Sequence, residues 1–338
     1  MGSSSPYITL ITVTWSLSKM NKNPTVSVVM ATYNGEKYIR EQIDSILGQS
    51  YPVYELVIQD DCSTDSTLAI AEDYARRYPN VKVFENQRNL GFNLNFQTAC
   101  MRATGDFVAI SDQDDVWFPE KIARQIEAIG THDICTSAIC RGATQATAVV
   151  EDESNDVRPA THVFRCLLGH SIFGPSSFMK NPKNWEGSLN YDWNLTLHAD
   201  WNNGIVRIGD VLLFHRSHDS SVTHRTMALT TTTSSVAPYL HGFRFFRQLQ
   251  EEPKFMSHCR YVFDNTLSAT DGGVVLQHRL VTLLLSHSFA GYLRLCFFCM
   301  RNRKSIYYPA SKAKGLLGFV RGFFFPAFSA YYSAFNFK

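Results

Sequence analysis

Polar groups able to bind a charged ligand gather at three points in the first third of the chain, each directly after a short apolar run. Tyr33-Asn34 follows Val26-Ser-Val-Val-Met-Ala-Thr, Asp60-Asp61 follows Tyr54-Glu-Leu-Val-Ile-Gln, and Asp112-Gln113-Asp114-Asp115 follows Phe107-Val-Ala-Ile-Ser. Acids grouped without an intervening base repel one another unless a cation or hydrogen-bond donors compensate. A divalent ion with oxygen ligands compensates most simply, and Mg²⁺ or Mn²⁺ held there would in turn grip a diphosphate. Some members, such as Asp65, read instead as turn or helix caps. No GxGxxG and no GxxxxGK[ST] stands near these runs, which argues against dinucleotide and P-loop sites. A nucleotidyltransferase would need a Gly-rich, cationic triphosphate loop after the first run, and none follows it. Of eight cysteines only Cys296 and Cys299 have CxxC spacing, with no second pair to complete a zinc site.

The elements that must position these groups alternate. Val26–Thr32, Tyr54–Gln59, Val81–Phe84 and Phe107–Ile110 read as strands, the first suited to burial on both faces. Between them, Ile39, Ile43, Ile46 and Leu47 share one helical face. A second helix over 66–78 is supported by the pairs Glu72–Arg76 and Asp73–Arg77 and ended by Pro79, and a third runs from Leu94 to Ala103. Pro119–Ile129 is a fourth. This order predicts an α/β fold with a mostly parallel mixed sheet flanked by helices. Ligands of such sheets bind beyond the carboxyl ends of the strands, where the three polar clusters fall. Arg141–Asp156 reads as a polar surface excursion.

Taken in order, these residues resemble glycosyltransferase family 2, the inverting enzymes of GT-A fold that use nucleotide sugars. The match runs through Val26–Gly35, Ile43-Asp-Ser-Ile-Leu-Gly-Gln-Ser-Tyr, Asp60-Asp-Cys-Ser-Thr-Asp, Asn89-Leu-Gly-Phe, Ala103-Thr-Gly-Asp-Phe and Ser111-Asp-Gln-Asp-Asp-Val-Trp-Phe-Pro-Glu-Lys. The Asp-Gln-Asp-Asp-Val-Trp form is similar to the rhamnosyltransferase-like branch of bacterial surface polysaccharide enzymes. The resemblance implies a Rossmann-like GT-A domain over 24–225, with a nucleotide-sugar half (24–118) and an acceptor half (119–225). It also implies the site. Tyr33 would lie against the nucleotide base, Asp61 would accept a hydrogen bond from it, and Asn34 and Asn89 belong to the same nucleotide-sugar set. Asp112 and Asp114 would form the metal and diphosphate motif, Asp114 being the direct ligand. Tyr191-Asp192-Trp193 takes the place of the family's catalytic carboxylate, with Tyr191 where His is usual, so Asp192 would be the base. Arg216 would meet phosphate and His218 would complete the metal site, in a segment where His215 replaces an aromatic. Cys62 stands where the family has Gly or Asn.

The expected reaction is inverting transfer of a sugar from a nucleotide-diphosphate sugar to a glycan acceptor, lipid-linked, in bacterial surface polysaccharide synthesis. The competing expectation is a non-catalytic nucleotide-binding or scaffold protein on a transferase fold, for which Cys62, Tyr191 and His215 would be early signs of decay.

Charge is distributed unevenly along the chain. The 338 residues carry 32 basic and 30 acidic side chains, but no acid follows Asp271, and nine basic residues do. The first 271 residues therefore carry −7 and the last 67 carry +9, in a region dense in Phe and Tyr. A cationic, aromatic extension favours an anionic membrane surface over nucleic acid, for which no recognised module is present. The expected organisation adds a poorly structured leader at 1–23, a linker at 226–237, and a helical, basic-aromatic region at 238–338, with membrane contact over 279–338. The scattered cysteines suit a reducing compartment, hence a cytoplasmic enzyme docked on the inner face of the cell membrane.

Overall fold

The computed structural model describes residues 23–151, 155–187, 189–218 and 237–333. All but the last residue of the expected leader and of the expected linker, and residues 219–225, lie outside the described residues. The first strands are β1 (Val26–Thr32), β2 (Glu55–Asp60), β3 (Val81–Glu85) and β4 (Phe107–Ser111). Between them run α1 (Ile39–Leu47), α2 (Thr67–Arg77) and α3 (Phe92–Arg102). Then come β5 (Val116–Trp117), α4 (Lys121–Ile129), β6 (Ile134–Gly142), β7 (Val149–Glu151), β8 (Phe173–Pro175), α5 (Ser176–Met179), α6 (Tyr191–Trp201) and β9 (Ile205–Arg216).

These strands form one sheet in the order β3-β2-β1-β4-β8-β6-β9-β5, with β7 on β6. The first four are parallel, β8 reverses direction against β4, and β9 runs parallel to β6. Register brings Thr32 level with Asp60 and Met30 level with Ser111, so the residues after β1, β2 and β4 emerge along one edge. Alternation along β1 explains its burial on both faces. Val26, Val28 and Met30 pack with Ile39, Ile43 and Ile46 of α1, whereas Val29 points to the opposite core with Phe96, Ala99 and Cys100 of α3.

The remainder is helical: α7 (Ala237–Glu251), α8 (Pro253–Asn265), α9 (Gly272–Leu284), α10 (Phe289–Arg301), α11 (Arg303–Ile306) and α12 (Gly315–Ser333). Their core, including Phe246, Phe255, Leu280 and Leu295, also takes in Trp193 and Leu197 of α6. The helical region is thereby packed on the sheet-bearing part. Among the described residues no helix is long and apolar enough to cross a membrane.

One local expectation changes, and two features of the helical part stand beside it. The third helix begins at Phe92, because Gly91 at φ +78° turns the chain into it. The apolar stretch 280–293 is divided between α9 and α10, the second capped by Ser288, whose Oγ accepts from the Gly291 N–H at 3.0 Å. The helix α12 runs through Pro326 rather than breaking there; packing against α7 and α10 holds it on both sides.

Candidate active site

The backbone after β1 and β2 needs two left-handed residues. Asn34 has φ +49° and Cys62 φ +61°. Asn tolerates that region; Cys adopts it at a cost, offset in part by an Sγ–H···O bond to the Asn86 carbonyl at 3.1 Å. The Asn34 side chain accepts from the Thr64 N–H at 2.8 Å and so braces the neighbouring loop. Asp60 is buried and serves the turn, accepting from Thr32 Oγ1 at 2.8 Å and the Ser63 N–H at 2.8 Å. Asp61, equally buried, accepts from Asn86 Nδ2 at 2.7 Å, the Leu90 N–H at 2.7 Å and the Gly91 N–H at 2.8 Å. Asn89 Nδ2 donates to the Asp61 carbonyl at 3.0 Å. Asp61 and Asn89 thus hold the 86–91 loop against the end of β2. Tyr33 is half exposed beside them.

After β4 the four residues of Asp112–Asp115 face different ways. Gln113 reaches back to β1: its Oε1 accepts from the Tyr33 N–H at 3.0 Å and its Nε2 donates to the Tyr33 carbonyl at 2.9 Å. A Cβ on Gly35 would fall 2.2 Å from that Oε1, so any larger residue there would displace the Gln113 amide. Asp114, partly exposed, lies 2.7 Å from His218 Nε2. The His218 ring sits 4.8 Å from that of Tyr38, at the entry to α1. Asp112 Oδ2 is 3.1 Å from His170 Nδ1. Burial raises the Asp112 pKa, but the His170 imidazole outweighs it, and the net direction is down.

Asp115 is fully buried, and burial pushes its pKa up to about 7. Its Oδ1 pairs with His215 Nδ1 at 3.0 Å and its Oδ2 lies 3.2 Å from His170 Nδ1. The two imidazoles are stacked at 4.6 Å, and burial lowers His215 to about 4. Ligand atoms of Asp115, His170 and His215 all lie within 4.8 Å of one another, compatible with a cation. Among the described residues this is the group of three donors that meets so closely; beside it Asp114 pairs with His218 and Asp112 with His170. Asp112 and Asp114 are more exposed than Asp115, with 34% and 21% of their side chains open to solvent. Arg216 sits close by but is already engaged. Its guanidinium donates to Glu41 Oε2 at 2.5 Å and to the Asp114 carbonyl at 3.1 Å.

Asp192 is the second residue of α6; the cap position falls on Asn190. The Tyr191 N–H donates to Asn93 Oδ1 at 2.9 Å, tying the start of α6 to the start of α3. The Tyr191 ring is buried 4.6 Å from Phe96 and 5.8 Å from Trp185. Burial of the Asp192 carboxyl raises its pKa to about 6; the Trp193 N–H and the Cys166 thiol pull it down by hydrogen bonding, and the Asp112 charge pushes it up. That last effect places Asp192 and Asp112 in one electrostatic neighbourhood. The structure thus gathers Asp112, Asp114, Arg216, His218 and Asp192 about the carboxyl edge of the sheet. It sets Tyr33, Asn34, Asp61 and Asn89 along the adjoining β1–β2 side. His170, Cys166 and Glu41 escape a reading of spacing alone, because each meets its partner only through the fold.

A family model described as glycosyl transferase family 2 matches residues 27–185. EpsE of Bacillus subtilis is 41% identical over 114 residues, 33% of this chain and 41% of that protein. The dTDP-rhamnosyl transferase RfbG of Shigella flexneri is 36% identical over 105 residues, 30% of this chain and 36% of that protein. The chain thus spans about two fifths of the length of these curated relatives. The crystal structure of S. aureus TarS 1–349 in complex with UDP-GlcNAc is similar in fold, with a TM-score of 0.55 at 20% identity, covering 90% of this chain and 89% of that one.

Proposed function

With a glycosyltransferase family 2 domain of GT-A fold as the premise, we propose that this chain transfers a sugar from a nucleotide-diphosphate sugar to a glycan acceptor, inverting the anomeric carbon. One observation carries the reading: a carboxyl with a pKa near 6, Asp192, shares the sheet's carboxyl edge with the Asp112-x-Asp114 pair. In-line displacement requires the acceptor hydroxyl to lose its proton as the new bond forms, and the Asp192 carboxylate accepts it. Asp112, Asp114 and His218 would hold Mg²⁺ or Mn²⁺, whose charge offsets the negative charge developing on the departing nucleoside diphosphate. Tyr33 offers the base a ring to lie on. Asp61 and Asn89 fix the adjoining loop, and Asn34 braces the turn beneath it. Arg216, held by Glu41, keeps cationic charge beside Asp114 and becomes a phosphate partner if Glu41 yields.

The dTDP-rhamnosyl name of RfbG supports a rhamnosyl or hexosyl donor. We place the acceptor among bacterial surface polysaccharides on a lipid carrier, with the enzyme on the cytoplasmic face of the membrane. The test is a screen of UDP-, dTDP- and GDP-sugars with Mn²⁺, read as release of the nucleoside diphosphate. Release from one nucleotide class, abolished by Asp114→Ala, is the expected result. No release and no Mn²⁺-dependent nucleotide binding would overturn the reading and leave a scaffold.

A further inference from the structure

Outside the sheet edge, an unassigned cleft of about 580 Å³ opens between α9 and α10, lined by Arg279, Leu283, Arg294, Phe297, Phe298 and Arg301. Arg294, Phe297, Phe298 and Arg301 recur at helical spacing and form one stripe of α10. Arg279 faces them from α9, its guanidinium 5.7 Å from the centre of the Phe298 ring. Among the described residues no carboxylate pairs with any of the three arginines, and the sequence holds no acid after Asp271. Three unneutralised guanidinium groups around one cleft repel one another, and an anion with several acceptor oxygens relieves this.

The rim of the cleft is apolar and open. Phe297 is 56% exposed, and its ring touches that of Phe323 on α12 at 5.2 Å. One turn earlier on α12, Phe319 lies under the Arg303 guanidinium at 3.5 Å. Beyond it Leu316 and Leu317 are 83% and 66% exposed, with Lys312 and Lys314 just before them. Leucines this exposed beside cations suit a lipid interface, where acyl chains cover the apolar groups and phosphates meet the bases. Nucleic acid would satisfy the arginines but leave the leucines in water.

We propose that this cleft takes the phosphate of an anionic phospholipid while Leu316 and Leu317 enter the outer acyl region, so that the helical part docks the enzyme flat on a bilayer. The inference rests on the membrane-facing reading above and assigns its contact. The test is sedimentation of the full chain with vesicles of phosphatidylcholine alone or mixed equally with phosphatidylglycerol. Binding is expected to the mixed vesicles only. It should weaken about thirtyfold in the Arg294→Ala, Arg301→Ala double variant, as expected for two surface cations. In Leu316→Ser, Leu317→Ser it should weaken about tenfold or more, and donor hydrolysis in solution should be unchanged in both. Failure of the wild type to bind either vesicle would overturn the membrane reading itself. Equal binding by the double-arginine variant would remove the cleft and leave that reading standing. Full competition by inorganic phosphate would make the cleft a site for a free anion, and competition by RNA with no effect of the leucines would make it a nucleic-acid site; either result refutes lipid docking.

Discussion

Asp192 offers the sharpest test, because its proposed duty and its environment together fix a pH profile. A base must be ionised to act, and burial holds this carboxyl at about 6. By that value about 97% is ionised at pH 7.5 and about 9% at pH 5, so the rate should fall about tenfold between them. A carboxyl at its usual value would lose only about 7% over that interval. The assay is nucleoside diphosphate release with acceptor present, under subsaturating donor and at fixed metal. The limb should also move with the neighbours that set it. Cys166→Ala removes a hydrogen bond that favours the anion, so the midpoint should rise. Saturating Mn²⁺ at Asp112 and Asp114 should screen the charge that opposes ionisation, so the midpoint should fall. Asp192→Asn should lower turnover by about 10²–10⁴ with donor affinity intact. A flat profile down to pH 5, or an Asn variant within tenfold of wild type, would refute the assignment.

Other outcomes follow from neighbouring contacts. Asp114→Ala should abolish transfer, and His218→Ala should raise the Mn²⁺ concentration needed for half activity by about 10–100-fold, measured by metal titration. Gly169→Ala would set a Cβ 2.0 Å from Tyr191 Oη, and the ring is walled in by Phe96 and Trp185; thermal denaturation should show a loss of about 1–3 kcal/mol, with turnover reduced. Lys121 is fully buried over the Trp117 ring at 3.9 Å, and burial lowers its pKa to about 7. Below pH 7 folding must bury its charge, whereas between 7 and 10.5 the unfolded chain binds the extra proton and stability rises with pH. Lys121→Met should therefore be more stable at pH 6.5, by about 1–4 kcal/mol, and denaturant titration should show the gap closing toward pH 10.

The parallel half of the sheet was legible because its strands are continuous Val and Ile runs with helical faces between them, a pattern that burial on both sides imposes. The antiparallel half was not. β5 and β8 are two and three residues long, too short to carry a period, and their places depend on β4 and β9. Asp112, Asp114 and Asp192 could be named as candidates because the family resemblance fixes their sequence order. His170 could not be placed, since its role comes from meeting Asp112 and Asp115 across the sheet. The terminal region shows the opposite difficulty. Its composition pointed to a membrane surface over 279–338, yet Phe325 is buried in the same helical core as Phe246 and Phe255, because aromatic content alone does not separate a helical core from an interface.

The Gln113 amide, paired with both backbone groups of Tyr33, gives the middle position of Asp-x-Asp an unexpected weight. It makes the loop proposed to hold the base and the motif proposed to hold the ion one mechanical unit, pinned by an uncharged side chain. Ligands that share such a unit are thermodynamically linked, so nucleotide should tighten metal binding by the same factor by which metal tightens nucleotide. Cutting the clamp with Gln113→Ala should shrink both factors together while leaving every charged ligand in place, and paired calorimetric titrations would measure that loss.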